Sequence, residues 1–190
     1  MPVLLALILA AGVALAVVYN RLVVLRNRVG NALAQIDVQL RRRHDLVPGL
    51  VESARAFLVH ERSVLDEVAR LRAAAAPSLD RQGPGQPAAG LVEGDLALSG
   101  AVGRLVAVAE SYPGLRADGT MARLMEDLTS VENRVGFARQ AYNDAAMRYN
   151  LARESFPALL FASLLGFGEA RLWWAAPGDR AGQRRGGQKL

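Results

Sequence analysis

Residues 1–18, MPVLLALILAAGVALAVV, carry no charge, and the first charged side chain is Arg21. A helix needs about 20 apolar residues to cross a hydrocarbon core about 30 Å thick, so residues 1–19 are predicted to be a transmembrane anchor. The apolar pattern does not stop there. Leu22, Leu25, Val29, Ala32, Ile36 and Leu40 follow at steps of three and four, the spacing of a helix packed along one face. Arg21, Arg28, Gln35 and Arg42 recur every seven residues on another face. No proline stands between Val3 and Val47, which allows one helix from inside a bilayer to about residue 45.

Pro48-Gly49, after His44-Asp45, is the first punctuation. Proline inside a helix removes a hydrogen bond and is tolerated in a first turn, so the chain either kinks or restarts here, with Asp45 as the possible cap. Leu50, Ala54, Phe57, Val64, Val68 and Leu71 then continue helical spacing as a second helix or a bent extension of the first. Residues 77–90, PSLDRQGPGQPAAG, read as a flexible loop. A helix over Leu91–Ser111 follows, with Gly94, Gly100 and Gly103 lowering its intrinsic stability. Met121, Leu124, Leu128, Val131, Val135, Ala138, Tyr142, Ala145 and Tyr149 form the most regular seam in the chain. The predicted fold is all-α: an N-terminal transmembrane helix continuing into an antiparallel three- or four-helix up-and-down bundle over residues 20–155. Residues 156–176 form an apolar segment that lies either at the membrane interface or over the bundle, and residues 177–190 a disordered basic tail.

Charge adds orientation. Arg21, Arg26, Arg28, Arg41, Arg42 and Arg43 lie just past the span, with only Asp37 among them. Positive charge stays on the cytoplasmic side, which predicts a short N-terminus outside and a cytoplasmic body at the cell (inner) membrane. The amino-terminal region lacks Lys and Arg and the apolar run is long, so a retained anchor is expected rather than a cleaved signal peptide. A formal charge of +5 with basic residues beside the anchor and in the tail points to anionic lipid. Aromatic content of 6% without alternation with arginine gives no nucleic-acid surface. The lack of cysteine removes thiol chemistry and leaves the compartment open.

Four collinear stretches resemble the LemA family: Tyr19 to Glu61, then ESYPGLRAD from Glu110 to Asp118, then Leu124 to Asn150, then SFPALLFASLLGF from Ser155 to Phe167. The resemblance implies a membrane-anchored α-helical bundle with a short N-terminus outside the cell. It carries over no catalytic residue. The family pattern has tryptophan where Leu33 stands and asparagine where Gly49 stands.

Candidate chemistry is sparse. His44 and His60 fall on opposing faces of a helix and His60-Glu61 lacks a second histidine, so no metal site is expected. Glu126, Asp127 and Glu132 read as solvated faces. No phosphate loop and no nucleophile elbow occurs, so neither cofactor nor enzymatic activity is expected. Three consecutive arginines spread around a helix, which brings Arg43, at the seam position, to the core or its rim; there it pairs with an acidic side chain of another helix or bonds a helix end. Structural or interaction candidates are Arg41, Arg42, Arg43, His44, Asp45, Pro48, Tyr142, Asn143, Tyr149 and Asn150. Tyr142 and Tyr149, like Asn143 and Asn150, repeat at seven residues and face a common side. Membrane-interface candidates are Arg21, Arg26, Arg28, Trp173 and Trp174. The expected role is a non-enzymatic scaffold or adaptor for protein assembly at the membrane. The alternative is a membrane-shaping or lipid-binding protein using residues 156–190 on the anionic leaflet. Expected partners are the lipid bilayer and proteins that the sequence does not name, with homo-oligomerisation left open.

Overall fold

A computed structural model describes residues 1–83, 85–88 and 90–173. Among them the regular elements are all helical: α1 (Pro2–Arg55), α2 (Arg62–Asp80), α3 (Leu91–Glu110), α4 (Pro113–Ala117), α5 (Gly119–Glu154) and α6 (Ala158–Phe161). The chain divides into two compact units, residues 1–32 with 141–190, and residues 33–140.

In the second unit, α1, α2, α3 and α5 share one core. Val47, Leu50, Ala54 and Leu58 meet Leu65 and Val68, Leu98, Val102 and Leu105, and Met121 and Leu128. The pairs α1 and α2, α2 and α3, and α3 and α5 run antiparallel. Arg41 reaches Leu79 while His44 reaches Arg72, and Glu67 reaches Arg104 while Ala75 faces Gly94. Arg139 likewise reaches Asp95 while Ser99 bonds Glu132. Asp118 starts α5 by accepting the amides of Thr120 and Met121 at 3.0 and 2.8 Å, two donors that a helix start otherwise leaves unmet.

The break after α1 differs from the expectation. The helix passes Pro48 and runs to Arg55, so Asp45 caps nothing. The chain turns instead over residues 56–61, which contain neither proline nor glycine. Burial drives that turn: Leu58 is driven fully into the core while Phe57 and Val59 stay exposed. The loop placed over 77–90 also starts late. Pro77 lies inside α2, whose last turn buries Ala75, Ser78 and Leu79, and that packing outweighs the one helical hydrogen bond a proline removes.

In the first unit, residues of the initial stretch of α1 are exposed along its length, and an 18-residue window has a mean hydropathy of 2.6. The helix is long and apolar enough to cross a membrane. Farther along, Leu22 and Val29 are buried, as are Ala146, Tyr149 and Ala152 of α5. The residues after α6 return along α5 as an extended strap through Phe167, Ala170 and Trp173, all buried.

Candidate functional site

Polar groups gather most densely inside the second unit, around Arg43. Its guanidinium is 1% exposed and donates to Asp95 Oδ1 at 2.6 Å, to Ser99 Oγ at 2.6 Å and to Glu132 Oε1 at 3.0 Å. Arg139 holds the other carboxylate oxygen of Asp95 at 2.6 Å and bonds Ser99 at 3.0 Å. Ser99 donates to Glu132 at 3.0 Å. Two cations and two anions thus balance in one network that ties α1, α3 and α5 together. Charges withdrawn from water in this way are costly unless each finds partners, and here both carboxylates are paired. No three side chains from His, Asp and Glu converge as a metal-holding group among the described residues.

The neighbours of Arg43 have other duties. Arg41 bonds Asp37 at 3.0 Å and the Leu79 carbonyl at 3.2 Å, near the end of α2, with Asp80 at 3.7 Å. The bond and charge of Asp37 raise its pKa. Arg42, Asp45 and Pro48 are exposed. His44 is buried, and its pKa is lowered by burial first and then by the charges of Arg72 and Arg43.

A second polar set lies in the first unit, where α5 binds the backbone of the strap. Asn150 receives the Ala170 amide at 2.9 Å and donates to the Ala170 carbonyl at 2.8 Å. Asn143 accepts from the Trp173 amide at 2.7 Å. Tyr142 donates to the Arg171 carbonyl at 2.6 Å, and Tyr149 to Gly168 at 2.8 Å. Burial raises both phenol pKa values, Tyr142 to about 12. The seven-residue repeat of these residues is what brings them to one face.

A cleft of about 620 Å3 opens between α3 and α5, with Val106, Ala109 and Met125 on its apolar wall and Glu110 and Glu126 beside them.

The sequence model of the LemA family matches residues 32–183. The chain belongs to the LemA family. Among similar proteins are the magnetosome proteins MamQ 1 and MamQ 2 of Paramagnetospirillum magneticum, each 27% identical over 178 residues, covering 84% of this chain and 65% of the relative. The magnetosome protein MamQ of Magnetospirillum gryphiswaldense is 26% identical over 168 residues, covering 78% of this chain and 62% of the relative. The chain therefore spans just under two thirds of the length of these relatives. Membership of the family and the apolar stretch of α1 together fit a membrane-associated helical protein.

Several candidate residues of this LemA-family chain stand elsewhere than expected. Trp173, proposed for a membrane interface, is 1% exposed and meets Tyr142 edge to face at 6.0 Å, because the strap turns its apolar side chains toward α5. Trp174 and the tail at 177–190 lie outside the described residues. Arg21, Arg26 and Arg28 are exposed on α1, Arg26 lying 5.5 Å from the ring centre of Phe167. Glu132, read as part of a solvated acidic face, instead joins the Arg43 network. Asp95, Ser99 and Arg139 were not singled out at all. Their signal was nonetheless present: Asp95 occupies a seam position in the series Leu91, Asp95, Leu98, Val102, where a carboxylate requires a buried cation.

Proposed function

We propose that this LemA-family chain is a single-pass membrane protein whose helical bundle is a non-enzymatic scaffold for protein assembly at the membrane. The observation that carries this reading is the composition of α1. The helix Pro2–Arg55 begins with 19 uncharged residues and later supplies Val47, Leu50 and Ala54 to the bundle core. An apolar surface of that length, left bare in water, is explained by lipid. Charge supports the orientation: Arg21, Arg26 and Arg28 follow the span and favour a body on the cytoplasmic side of the inner membrane. Support for a scaffold comes from what the polar residues do. The densest network, around Arg43 and Asp95, is spent on internal pairing, and the Asn143–Asn150 face binds the chain's own backbone.

The natural lack of cysteine permits a clean test. Single cysteines at Gln86 and Ser111 in the full chain are exposed to a membrane-impermeant thiol reagent in intact and in inverted vesicles. Labelling in inverted vesicles alone is expected; labelling in the intact vesicles, whose outer face is that of the cell, overturns the orientation. Release of the full chain by alkaline carbonate overturns the crossing. For the scaffold, crosslinking in cells is compared between the native chain and one truncated to residues 1–32. Partners that require the bundle are expected, and an identical crosslinked set for both chains overturns the role.

A further inference from the structure

An uncharged apolar edge stands on the first unit beside the end of the spanning stretch. Phe156 is 81% exposed, Leu160 61% and Leu164 83%, a contiguous set rather than the scattered apolar residues of an ordinary surface. The segment is fastened from its other side. Ala158, Ala162 and Phe167 are buried, and Phe167 meets Tyr19 edge to face at 5.5 Å. Tyr19 directly follows the uncharged stretch, so the exposed edge is held where α1 leaves the apolar zone.

The backbone of this edge has its own partners. The amides of Leu159 and Leu165 donate to Ser155 and Phe161 at 2.9 Å, that of Ala162 to Ala158 at 2.8 Å, and that of Phe167 to Ala162 at 2.9 Å. Unpaired main-chain groups are what keep irregular chain out of hydrocarbon, and pairing of these four amides lowers that cost along the edge.

Alongside runs a groove of about 570 Å3 between α1 and the end of α5, with Arg21, Arg28 and Arg148 as its cations, Val24 and Leu151 as apolar wall, and Ser155 leading into Phe156. None of the three arginines pairs with a carboxylate among the described residues. Arg21 and Arg28 are two helical turns apart, about 10 Å. A headgroup layer is about 5–7 Å deep, within reach of two such flexible side chains. Cations beside bare apolar surface match a molecule with an anionic head and a hydrocarbon body.

We propose that the first unit binds anionic phospholipid of the membrane that α1 enters. Arg21, Arg28 and Arg148 hold the phosphate, and the acyl chains lie over Val24, Leu151 and the edge from Phe156 to Leu165. This rests on the reading that residues 1–18 cross the bilayer, so the two are tested separately in the full chain.

Leu9→Cys and Leu160→Cys are each labelled with an environment-sensitive fluorophore and reconstituted in vesicles of phosphatidylglycerol and phosphatidylcholine carrying spin-labelled lipid. Quenching at both positions is expected. Quenching at Leu9→Cys without quenching at Leu160→Cys overturns the lipid-contacting edge and leaves the crossing intact; absence at Leu9→Cys overturns the crossing and the proposal with it. The headgroup site is read by mass spectrometry of lipid retained by the chain in mild detergent. Native chain is expected to keep phosphatidylglycerol over phosphatidylcholine, and the Arg21→Gln/Arg28→Gln/Arg148→Gln variant to lose retention by about five-fold per arginine. All three side chains are exposed, so the variant keeps the helical circular dichroism of the native chain. Equal retention by both overturns the site. Binding of water-soluble glycerophosphoglycerol as tight as that of the lipid overturns the acyl part, and crosslinking of Leu160→Cys to protein instead of lipid overturns the occupant.

Discussion

Arg72 Nε donates to the backbone carbonyl of His44 at 2.8 Å, the carbonyl that Pro48, four residues on, has no amide hydrogen to serve. A side chain from α2 thus replaces the helical bond that proline removes, and α1 continues to Arg55. Arg72→Met is expected to destabilise the full chain by about 1 kcal/mol, and by less in a Pro48→Ala background, where the amide returns. Denaturation of the four chains in detergent measures the coupling; additivity within about 0.3 kcal/mol would show that the two residues act independently.

His44 also carries a pH dependence. Burial, then Arg72 and Arg43, lower its pKa below 6.5, against smaller opposing effects of Asp45 and Asp80. The folded chain therefore binds fewer protons there than the unfolded chain in the window between the lowered pKa and 6.5. The stabilisation is fully present above the unfolded value and is lost as pH falls through the folded one. Urea midpoints from about pH 7.5 to about pH 5 should decline less steeply for His44→Gln. Parallel declines would remove His44 as the cause.

Asp95 is predicted to be the most sensitive member of the ion network. Asp95→Asn leaves Arg43 and Arg139 facing each other without the carboxylate they share, at a cost of about 3–5 kcal/mol. Glu132→Gln should cost less, because the Glu132 side chain is 24% exposed and water compensates. Equal losses in thermal denaturation would contradict this ranking.

Two glycines of α3 should respond in opposite ways. Nothing lies within 4 Å of a Cβ placed at Gly103, whereas one at Gly94 meets Ala75 Cβ at 3.3 Å and its Cα at 3.5 Å. Gly103→Ala is expected to stabilise by about 0.5–1 kcal/mol, while Gly94→Ala forces α2 and α3 apart and gives no gain. Comparable stabilisation by both would mean that the two helices yield freely.

The strap should loosen unevenly. Asn150→Ala removes two bonds to Ala170 and Tyr142→Phe removes one, to Arg171, each worth about 1 kcal/mol. Hydrogen exchange at the Ala170 amide should accelerate more in Asn150→Ala. The Tyr142 pKa near 12 adds a second readout: the unfolded phenol ionises near 10, so its contribution is complete below that pH and is lost as pH rises toward 12. The alkaline limb of stability should flatten in Tyr142→Phe.

Periodic packing was legible in the chain and its exceptions were not. The seam from Met121 to Tyr149 lies within α5, and the resemblance to the LemA family held. Pro48 and Pro77 misled because propensity records the bond a proline loses, not the Arg72 side chain or the buried turn that offsets it. The turn over residues 56–61 left no local mark because tertiary burial of Leu58 causes it. Arg43 could be placed near the core by its heptad position, whereas its partners required knowing which helices face it. Trp173 was read by composition as interfacial, since nothing local announces that Asn143 anchors its amide.

The strap is recognised through its main chain. Asn143, Asn150, Tyr142 and Tyr149 bond amides and carbonyls of Gly168, Ala170, Arg171 and Trp173, and such groups are common to nearly every residue type. Selection can therefore act on the exposed side chain at Arg171 with little regard for attachment. Asn150 has less latitude, since its carboxamide both accepts from and donates to Ala170, and aspartate, the side chain of the same length, lacks the donor.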